Sequence, residues 1–315
     1  MSFFQNKPQR RQMMAAMAAS LLAPRLMAQP ARLARLVVIG GAEDRMQDRL
    51  ILRKFVDYCG GTSARIRLIT AASADPESVW RSYRQVFHEL GVSDVQPLAL
   101  TDWDSAHAPA LQQDILQADG IFMSGGDQSK LMQALWETPA YTSLHQAFHL
   151  RGCCIGGTSA GAAVMSRHMI AQGAAVLRPS KDATATDIGL GFITQAVVDQ
   201  HFSERRRLAR LMSTLALRPD LLGVGIDEDT ALVIERNHAI EVIGRGSVTV
   251  VDPTHMRSNV EEVEAEEQME LLGVELHMLP SGHRYSLDAK NKPSHWPANL
   301  QKVLTRLAAP GPMRA

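Results

Sequence analysis

Cysteine is scarce in this sequence, which has only Cys59, Cys153 and Cys154 among 315 residues. An odd count, with two of the three adjacent in an apolar stretch, argues against a disulfide framework. The cysteines and histidines do not have the spacing of a tetrahedral zinc site, and the HExxH pattern is absent. We therefore expect a fold stabilised by a hydrophobic core, with no metal and no other cofactor.

An excess of either charge is also missing, since Lys and Arg together number 33 and Asp and Glu together number 33. The charge balance therefore predicts neither a nucleic-acid partner nor binding to an anionic membrane. The apolar run at 13–22 is too short to span a bilayer, so no membrane span is expected. A hydrophobic content of 45% predicts a globular protein, in which any charged substrate must be bound by local groups.

The N-terminus has the layout of an export signal. Lys7, Arg10 and Arg11 precede the apolar run 13–22, and the arginine pair resembles the twin-arginine motif, with a possible cleavage point after Ala28. This pattern predicts a periplasmic or secreted protein. The alternative is an amphipathic or disordered extension on a cytoplasmic enzyme. We expect residues 1–34 to be this extension, 35–300 to be a single domain and 301–315 to be a C-terminal tail.

From residue 35 onward, short apolar runs alternate with amphipathic stretches, which indicates an α/β fold with a mostly parallel sheet flanked by helices. The predicted strands are 36–39, 65–70, 120–123, 153–155, 196–198 and 222–226, and the clearest predicted helices are 49–59 and 77–90. After residue 222 the strands follow closely, at 230–235, 238–243 and 247–251. This spacing predicts a β-rich extension of the same sheet.

Gly157-Thr158-Ser159-Ala160-Gly161 fits the nucleophile-elbow pattern GxSxG, between the strand 153–155 and a predicted helix at 162–166. A bare match to this pattern can also be an ordinary glycine-rich turn. The strand and helix favour Ser159 as a nucleophile. The N–H of Ala160 is then a candidate oxyanion donor, and the Gly-Gly turn after strand 120–123 offers a second source, at Gly126 and Asp127.

A serine nucleophile needs a base and a group that orients the base. His201 is the candidate base, because it follows an apolar strand in Asp199-Gln200-His201-Phe202. The candidates for the orienting acid are Asp227, Glu228 and Asp229, which end another apolar run. The residues alone do not choose among these three.

A group of arginines follows His201, on a helix predicted to begin near Glu204. These are Arg205, Arg206, Arg207 and Arg210. Guanidinium groups suit the bidentate binding of carboxylates, so the group is a candidate substrate site. The alternative is a solvated basic helix face.

Five blocks together carry a resemblance to a known family: 40–44, 122–128, 157–165, 197–202 and 225–230. Over about residues 36–255 the chain resembles the cyanophycinases, members of the serine peptidase family that also contains dipeptidase E. The resemblance implies a flavodoxin-like sheet, related to the class I glutamine amidotransferase fold, and a triad of Ser159, His201 and Glu228. It also implies substrate contacts at Gln128, Thr158, Asp199, Gln200, Arg205, Arg207 and Arg210.

The substrate that the resemblance implies is cyanophycin, a poly-aspartate chain with arginine joined to each side chain, which is cut to β-Asp-Arg dipeptides. Arginines would hold substrate carboxylates, and Asp199 or another acid would meet a substrate guanidinium. One alternative is an aspartyl dipeptidase that acts on small Asp-containing peptides, and another is a non-catalytic binding module on the same fold. We expect the chain to form a homodimer.

Overall fold

A computed structural model describes residues 33–288, 290, 293, 296–309 and 311–313. The predicted export signal at 1–28 lies outside the described residues, so its assignment stays a prediction. No helix in the described part of the chain combines the length and the apolar character needed to span a bilayer.

The described residues contain sixteen strands and eight α-helices. The strands are β1 (Arg35–Ile39), β2 (Arg65–Ile69), β3 (Asp94–Pro97), β4 (Gly120–Met123), β5 (Cys154–Thr158), β6 (His168–Gln172), β7 (Ala185–Ile188), β8 (Ala196–Gln200), β9 (Leu222–Ile226), β10 (Thr230–Glu235), β11 (Ala239–Gly244), β12 (Ser247–Asp252), β13 (Arg257–Ser258), β14 (Leu271–Leu272), β15 (Glu275–Pro280) and β16 (His283–Ser286). The helices are α1 (Leu50–Cys59), α2 (Pro76–Glu89), α3 (Pro109–Gln117), α4 (Gln128–Leu135), α5 (Pro139–Arg151), α6 (Ala160–Ala163), α7 (Leu208–Leu217) and α8 (Ala298–Ala308).

The central sheet has eight strands in the order β16-β11-β10-β1-β5-β4-β2-β3. Five neighbouring strands are parallel, namely β1, β5, β4, β2 and β3. At one side of them β10, β11 and β16 add an antiparallel edge. In β1, Leu36 and Val38 pack into the core on one face of the sheet, whereas Val37 and Ile39 pack into the core on the other. Burial on both faces explains why this strand has a continuous apolar run. The predicted α/β class and parallel sheet are confirmed.

Local signals explain where the first helices begin and end. Gly60 ends α1 in the left-handed conformation, with φ of 109°. Asp75 precedes α2, and its side chain accepts a hydrogen bond of 3.0 Å from the N–H of Ser78, while Pro76 occupies the first turn. Both helices lie within a residue of the bounds that their patterns predict.

The β-rich part after residue 222 divides between two sheets, which corrects the prediction of one continuous sheet. β10 and β11 extend the central sheet, whereas β9 and β12 lie in a second sheet of order β15-β12-β9-β8. The turn at Asp227–Asp229 carries the chain from one sheet to the other. Val248 pairs with Ile226, so β12 folds back onto β9 instead of continuing beside β11.

The end of the chain is packed more tightly than predicted. Leu300, Val303, Leu304 and Leu307 of α8 are buried and belong to the main hydrophobic core. The predicted boundary at residue 300 therefore falls inside a packed helix. Its apolar residues recur at helical spacing, and their burial excludes residues 301–308 from being a free tail.

Candidate active site

The carboxyl ends of five strands meet at the site. β1, β4 and β5 belong to the central sheet, and β8 and β9 belong to the second sheet. Ser159 follows β5, His201 follows β8 and Glu228 lies two residues after β9. The crevice at the carboxyl ends of parallel strands is where open α/β sheets bind ligands. The structure brings the three residues of the predicted triad together here.

Ser159 occupies the turn between β5 and α6, with φ of 52° and ψ of −111°. A Cβ added to Gly157 would lie 2.3 Å from the carbonyl oxygen of Gly161, and one added to Gly161 would lie 2.3 Å from that of Met123. Only glycine fits these two positions, because the chain turns too closely for a side chain. The turn is the nucleophile elbow that the sequence pattern predicts, although α6 is a single short turn at Ala160–Ala163 and not a helix at 162–166.

Ser159, His201 and Glu228 form a continuous hydrogen-bonded series. Ser159 Oγ lies 2.9 Å from His201 Nε2, and His201 Nδ1 lies 2.6 Å from Glu228 Oε1. Burial lowers the pKa of His201 below its ordinary value, and the hydrogen bond that His201 donates to Glu228 opposes that shift only in part. The imidazole is therefore held neutral near neutral pH, with Nδ1 donating to the carboxylate and Nε2 free to accept the serine proton.

The structure separates the three candidate acids. Asp227 accepts hydrogen bonds from the N–H and the hydroxyl of Ser247, each 2.9 Å long, and Asp229 accepts one of 2.8 Å from the N–H of Asp44. Only the carboxylate of Glu228 contacts His201. Asp227 and Asp229 stabilise the turn between the two sheets, so Glu228 fits the role that the family resemblance implies.

Two adjacent glycines, Gly40 and Gly41, allow His201 to lie close against the turn after β1. Its N–H donates a hydrogen bond of 2.7 Å to the carbonyl oxygen of Gly40. Gly41 has φ of 105°, and a Cβ at this position would lie 2.2 Å from the imidazole Cε1 of His201. His201 itself has a positive φ of 48°. The turn after β1 therefore fixes both the backbone and the ring of the candidate base.

The candidate oxyanion donors are not equivalent. The N–H of Asp127 donates to the carbonyl oxygen of Ala72 at 2.8 Å, which corrects its prediction as an oxyanion donor. Its carboxylate instead accepts a hydrogen bond from the N–H of Ser129 at the start of α4. Gly126 is exposed, with φ of 142°, and its N–H makes no hydrogen bond among the described residues. Gly126 and Ala160 remain the candidates.

A buried carboxylate whose role no sequence motif indicates lies beside the nucleophile. Glu43 is 5% exposed, accepts a hydrogen bond of 2.5 Å from Thr158 Oγ1 and also accepts one from the hydroxyl of Tyr83. Burial, reinforced by the Glu43 charge, raises the pKa of Tyr83. The hydroxyl of Thr158 thus donates to Glu43, and the role of Thr158 as a substrate contact stays a prediction. A single acid in a turn has no sequence signature of this role.

These residues line a cleft of about 260 Å³ that contains Ser159 and His201. Its wall also includes Arg45, whose guanidinium lies over the ring of Tyr83 at 5.3 Å from the ring centre. Arg45 is the only arginine or lysine that lines this cleft among the described residues. The sequence pattern did not distinguish it from other surface arginines.

The arginines after His201 divide into exposed and buried members. Arg205 and Arg206 are exposed in a turn, since α7 begins only at Leu208, which corrects the predicted helix start near Glu204. Arg207 and Arg210 are buried.

Asp199 is 0% exposed and is the ion-pair partner of both buried arginines. Its distance to Arg210 Nε is 2.8 Å, and Arg207 also donates a hydrogen bond of 2.6 Å to the carbonyl oxygen of Gln200. In this arrangement neither Asp199, Arg207 nor Arg210 is open to a substrate. These contacts hold the end of β8 next to His201, and the role of the three residues in binding substrate stays a prediction.

The two predicted glutamine contacts are also engaged or covered. Gln128 donates from Nε2 to the carbonyl oxygens of Ala171, at 2.7 Å, and Ile170, at 3.0 Å. Its amide donors therefore tie α4 to β6 and are not available to a substrate. Gln200 is buried at the end of β8, one residue before His201.

Comparison with known proteins agrees with this geometry. The model of peptidase family S51 matches residues 36–242. A cyanophycinase of Geminocystis herdmanii (strain PCC 6308) is 41% identical over 262 residues, which are 83% of this chain and 94% of that protein. A cyanophycinase of Synechococcus elongatus is 41% identical over 253 residues, covering 80% of this chain and 78% of that protein.

The fold has a solved counterpart in the crystal structure of a peptidase from an acI-B1 actinobacterium. The TM-score is 0.58 and the sequence identity is 22%, and the match covers 82% of this chain and 98% of that chain. At this identity the likeness concerns the fold alone, and it supports the flavodoxin-like arrangement of the central sheet.

Proposed function

This chain belongs to peptidase family S51 and is a serine peptidase, and we propose that it hydrolyses cyanophycin to β-Asp-Arg dipeptides. The observation that carries the proposal is the hydrogen-bonded series of Ser159, His201 and Glu228 at the carboxyl ends of three strands. The relatives named cyanophycinase, which match more than three quarters of the chain, support the choice of substrate.

The proposed reaction begins with Ser159. Its Oγ attacks the carbonyl carbon of the scissile amide while its proton passes to His201 Nε2, at the 2.9 Å separation observed. The C–N bond then breaks as His201 donates that proton to the leaving nitrogen, which leaves an ester on Ser159. Water attacks the ester with His201 again as base, releases the acid product and restores the serine hydroxyl.

Two groups stabilise charge during these steps. Glu228 stabilises the imidazolium that forms on His201 and holds it in the tautomer that accepts the proton. The N–H groups of Gly126 and Ala160 would bind the oxyanion, because Gly125 lies against Ser159 and Ala160 begins α6 directly after it. A Cβ on Gly125 would lie 3.3 Å from that of Ser159.

The accessible cations near the nucleophile are proposed to hold the carboxylates of the substrate. Arg45 lines the cleft, and Arg205 is exposed in the turn that follows His201. Both guanidinium groups can form paired hydrogen bonds with a carboxylate. The buried Arg207 and Arg210 cannot do so while they are bound to Asp199.

The test is incubation of the purified protein with insoluble cyanophycin, followed by mass analysis of the soluble products. We expect β-Asp-Arg as the main product, and we expect Ser159→Ala to release none while melting at a temperature close to that of the parent. Dipeptides that begin with an α-linked aspartate form the contrasting substrate set. Cleavage of that set with cyanophycin left intact would replace the proposal with an aspartyl dipeptidase.

A further inference from the structure

A second cleft, of about 410 Å³, lies along α4 and has an unusual lining. Its walls include Trp103, Met132, Trp136, Glu137, Asp187 and Ile188. Two tryptophans and two carboxylates thus line one cavity, and no lysine or arginine is among its lining residues. We call it the aromatic-acidic cleft.

Trp103 is presented to solvent by a loop that is held in place. Trp103 is 51% exposed, although burial of an indole is strongly favourable. Ser105 Oγ accepts hydrogen bonds of 3.0 Å from the N–H groups of Thr101 and Asp102, and Asp102 Oδ1 accepts one of 2.8 Å from the N–H of Ser105. The ring of His107 packs against the indole, with 4.2 Å between ring centres. The indole is therefore preorganised before any ligand binds.

Both carboxylates lack ion-pair partners within the part of the chain that the structure describes. Among the described residues, neither Glu137 nor Asp187 forms a salt bridge, and both are exposed. Glu137 has a positive φ of 57° and lies between Trp136 and Thr138, which caps α5. Asp187 lies on β7, whose four residues are all exposed. The cleft thus offers unneutralised negative charge beside aromatic faces.

A series of neighbouring residues leads from the nucleophile toward this cleft. Gly125 lies against Ser159, and Gly126 lies against the carbonyl of Ala72. A neighbouring cleft lined by Ser73 also includes Trp103, which the two clefts share. Lys130 borders that neighbouring cleft and not the aromatic-acidic cleft. The path follows α4, whose eight residues span about 12 Å. An extended chain covers that distance in about four residues.

We propose that the aromatic-acidic cleft binds arginine side chains of the substrate polymer at a distance of a few aspartate units from the bond that is cut. This inference rests on the proposed function. The planar guanidinium stacks on an indole face, and tryptophan is the best aromatic partner for a cation. The carboxylates of Glu137 and Asp187 supply acceptors for its N–H groups. Such a site retains a long polymer during repeated cleavage, whereas a short product cannot reach it.

Binding is tested apart from cleavage in the Ser159→Ala protein, with a hexa-arginine peptide and a hexa-aspartate peptide as probes. We expect Trp103→Ala to weaken hexa-arginine binding about fivefold, in keeping with a contact to one exposed ring. The double change Glu137→Gln and Asp187→Asn should act in the same direction. The matched controls are Met278→Ala, which removes another exposed apolar side chain, and Glu266→Gln, which removes another exposed charge. Neither control should alter binding.

Turnover is tested with Ser159 intact, as the ratio of the hydrolysis rate on cyanophycin to that on an oligomer of two β-Asp-Arg units. We expect Trp103→Ala to lower this ratio about fivefold relative to Met278→Ala. Equal behaviour of Trp103→Ala and Met278→Ala in both assays would overturn the inference, and so would a loss of hexa-aspartate binding with hexa-arginine binding intact. A parent protein that binds hexa-arginine through Trp103 but leaves cyanophycin uncut would instead contradict the proposed function and retain the guanidinium site.

Discussion

The position of His201 depends on several neighbours at once. Its N–H is bound by the carbonyl oxygen of Gly40, its Nδ1 by Glu228, and its ring occupies the space that a side chain at residue 41 would fill. The hydroxyl of Ser159 meets the remaining ring nitrogen. The base is therefore oriented by the turns after β1 and β9, so a change in either turn should alter the reaction without altering the nucleophile.

The first prediction compares the three adjacent acids. Glu228→Gln should lower kcat by about 10³ to 10⁴, because an amide cannot stabilise the imidazolium or fix its tautomer. Asp229→Asn should stay within about threefold of the parent, since the amide oxygen can still accept the hydrogen bond from Asp44. Rates on a soluble β-Asp-Arg oligomer measure both. If Asp229→Asn were the more damaging change, Glu228 would not be the orienting acid.

The second prediction concerns pH. Burial lowers the pKa of His201, and the positive charge of Arg205 lowers it further. The imidazole should therefore stay neutral at pH values below its ordinary pKa of about 6.5. The acid limb of the plot of kcat/KM against pH should therefore lie at a correspondingly low pH. Arg205→Ala removes one lowering influence, so the pKa of His201 rises and the limb moves to higher pH. A limb that moved to lower pH in this variant would contradict the assignment of His201 as the titrating group.

The residue types at the site were predictable only where their position in a motif is distinctive. Ser159 is marked by the small residues that its turn requires, and His201 is marked by its place after a strand. The orienting acid could not be selected from Asp227, Glu228 and Asp229, because which side chain turns inward depends on the backbone of the turn. Glu43 lies in the matching block 40–44, but no residue pattern indicated its role, since that role arises from contacts with residues 40 and 115 positions away.

Strand ends are the elements that assemble the site, and the turns between elements decide which side chains point into it. β1 contributes a Gly-Gly turn in place of a catalytic side chain, and β8 and β9 contribute the base and its acid from a different sheet. The order of strands along the chain was readable from apolar runs. The division into two sheets was not, because it depends on β12 pairing with β9 instead of β11, and both pairings suit the same pattern of alternating residues.

The third prediction tests the turn after β1. Gly41→Ala should abolish measurable turnover, because the added Cβ would lie 2.2 Å from the His201 ring and φ of 105° disfavours alanine. Gly61→Ala is the matched control, since φ there is 83° and nothing lies within 4 Å of the added atom. Both variants strain the backbone, so both should melt earlier than the parent, but only Gly41→Ala should lose the reaction. Full activity of Gly41→Ala would show that His201 lies elsewhere during catalysis.

The fourth prediction concerns the buried arginines. Arg210→Ala should destabilise the protein by about 3 kcal/mol, or about 6 to 12 °C in Tm, because the buried charge of Asp199 loses its closest partner. Arg206→Ala, at an exposed position in the preceding turn, should leave Tm unchanged. Thermal melting checks both. An unchanged Tm with a raised KM for cyanophycin would restore Arg210 to the substrate site that the family resemblance implies.

At the scale of the whole molecule, the active site lies where two sheets meet, and each sheet supplies part of the triad. The central sheet carries Ser159, and the second sheet carries His201 and Glu228. Correct geometry at distances of 2.6 to 2.9 Å therefore requires both sheets to be folded and packed together. Activity should be lost in the same transition as the fold. The predicted homodimer stays a prediction, which light scattering of the purified protein would test.

The fifth prediction concerns export, which we propose from the sequence of residues 1–28. Replacement of both Arg10 and Arg11 by lysine should keep the protein in the cytoplasm, because the twin-arginine signal is read by a receptor that requires the pair. Arg25→Lys is the control and should be exported normally. Cell fractionation with detection of the protein is the measurement. Cytoplasmic retention of the unaltered protein would favour the alternative of an N-terminal extension on a cytoplasmic enzyme.

The positive φ of the elbow residue has a consequence for how this enzyme changes under selection. Ser159 and His201 have φ of 52° and 48°, in a region where a residue other than glycine costs about 1 to 3 kcal/mol. Glycine would relieve this cost at either position, and it would also remove the reaction. Thermal stability and catalytic activity therefore place opposite demands on these two positions. A population selected for thermal stability alone should lose activity through substitutions there first.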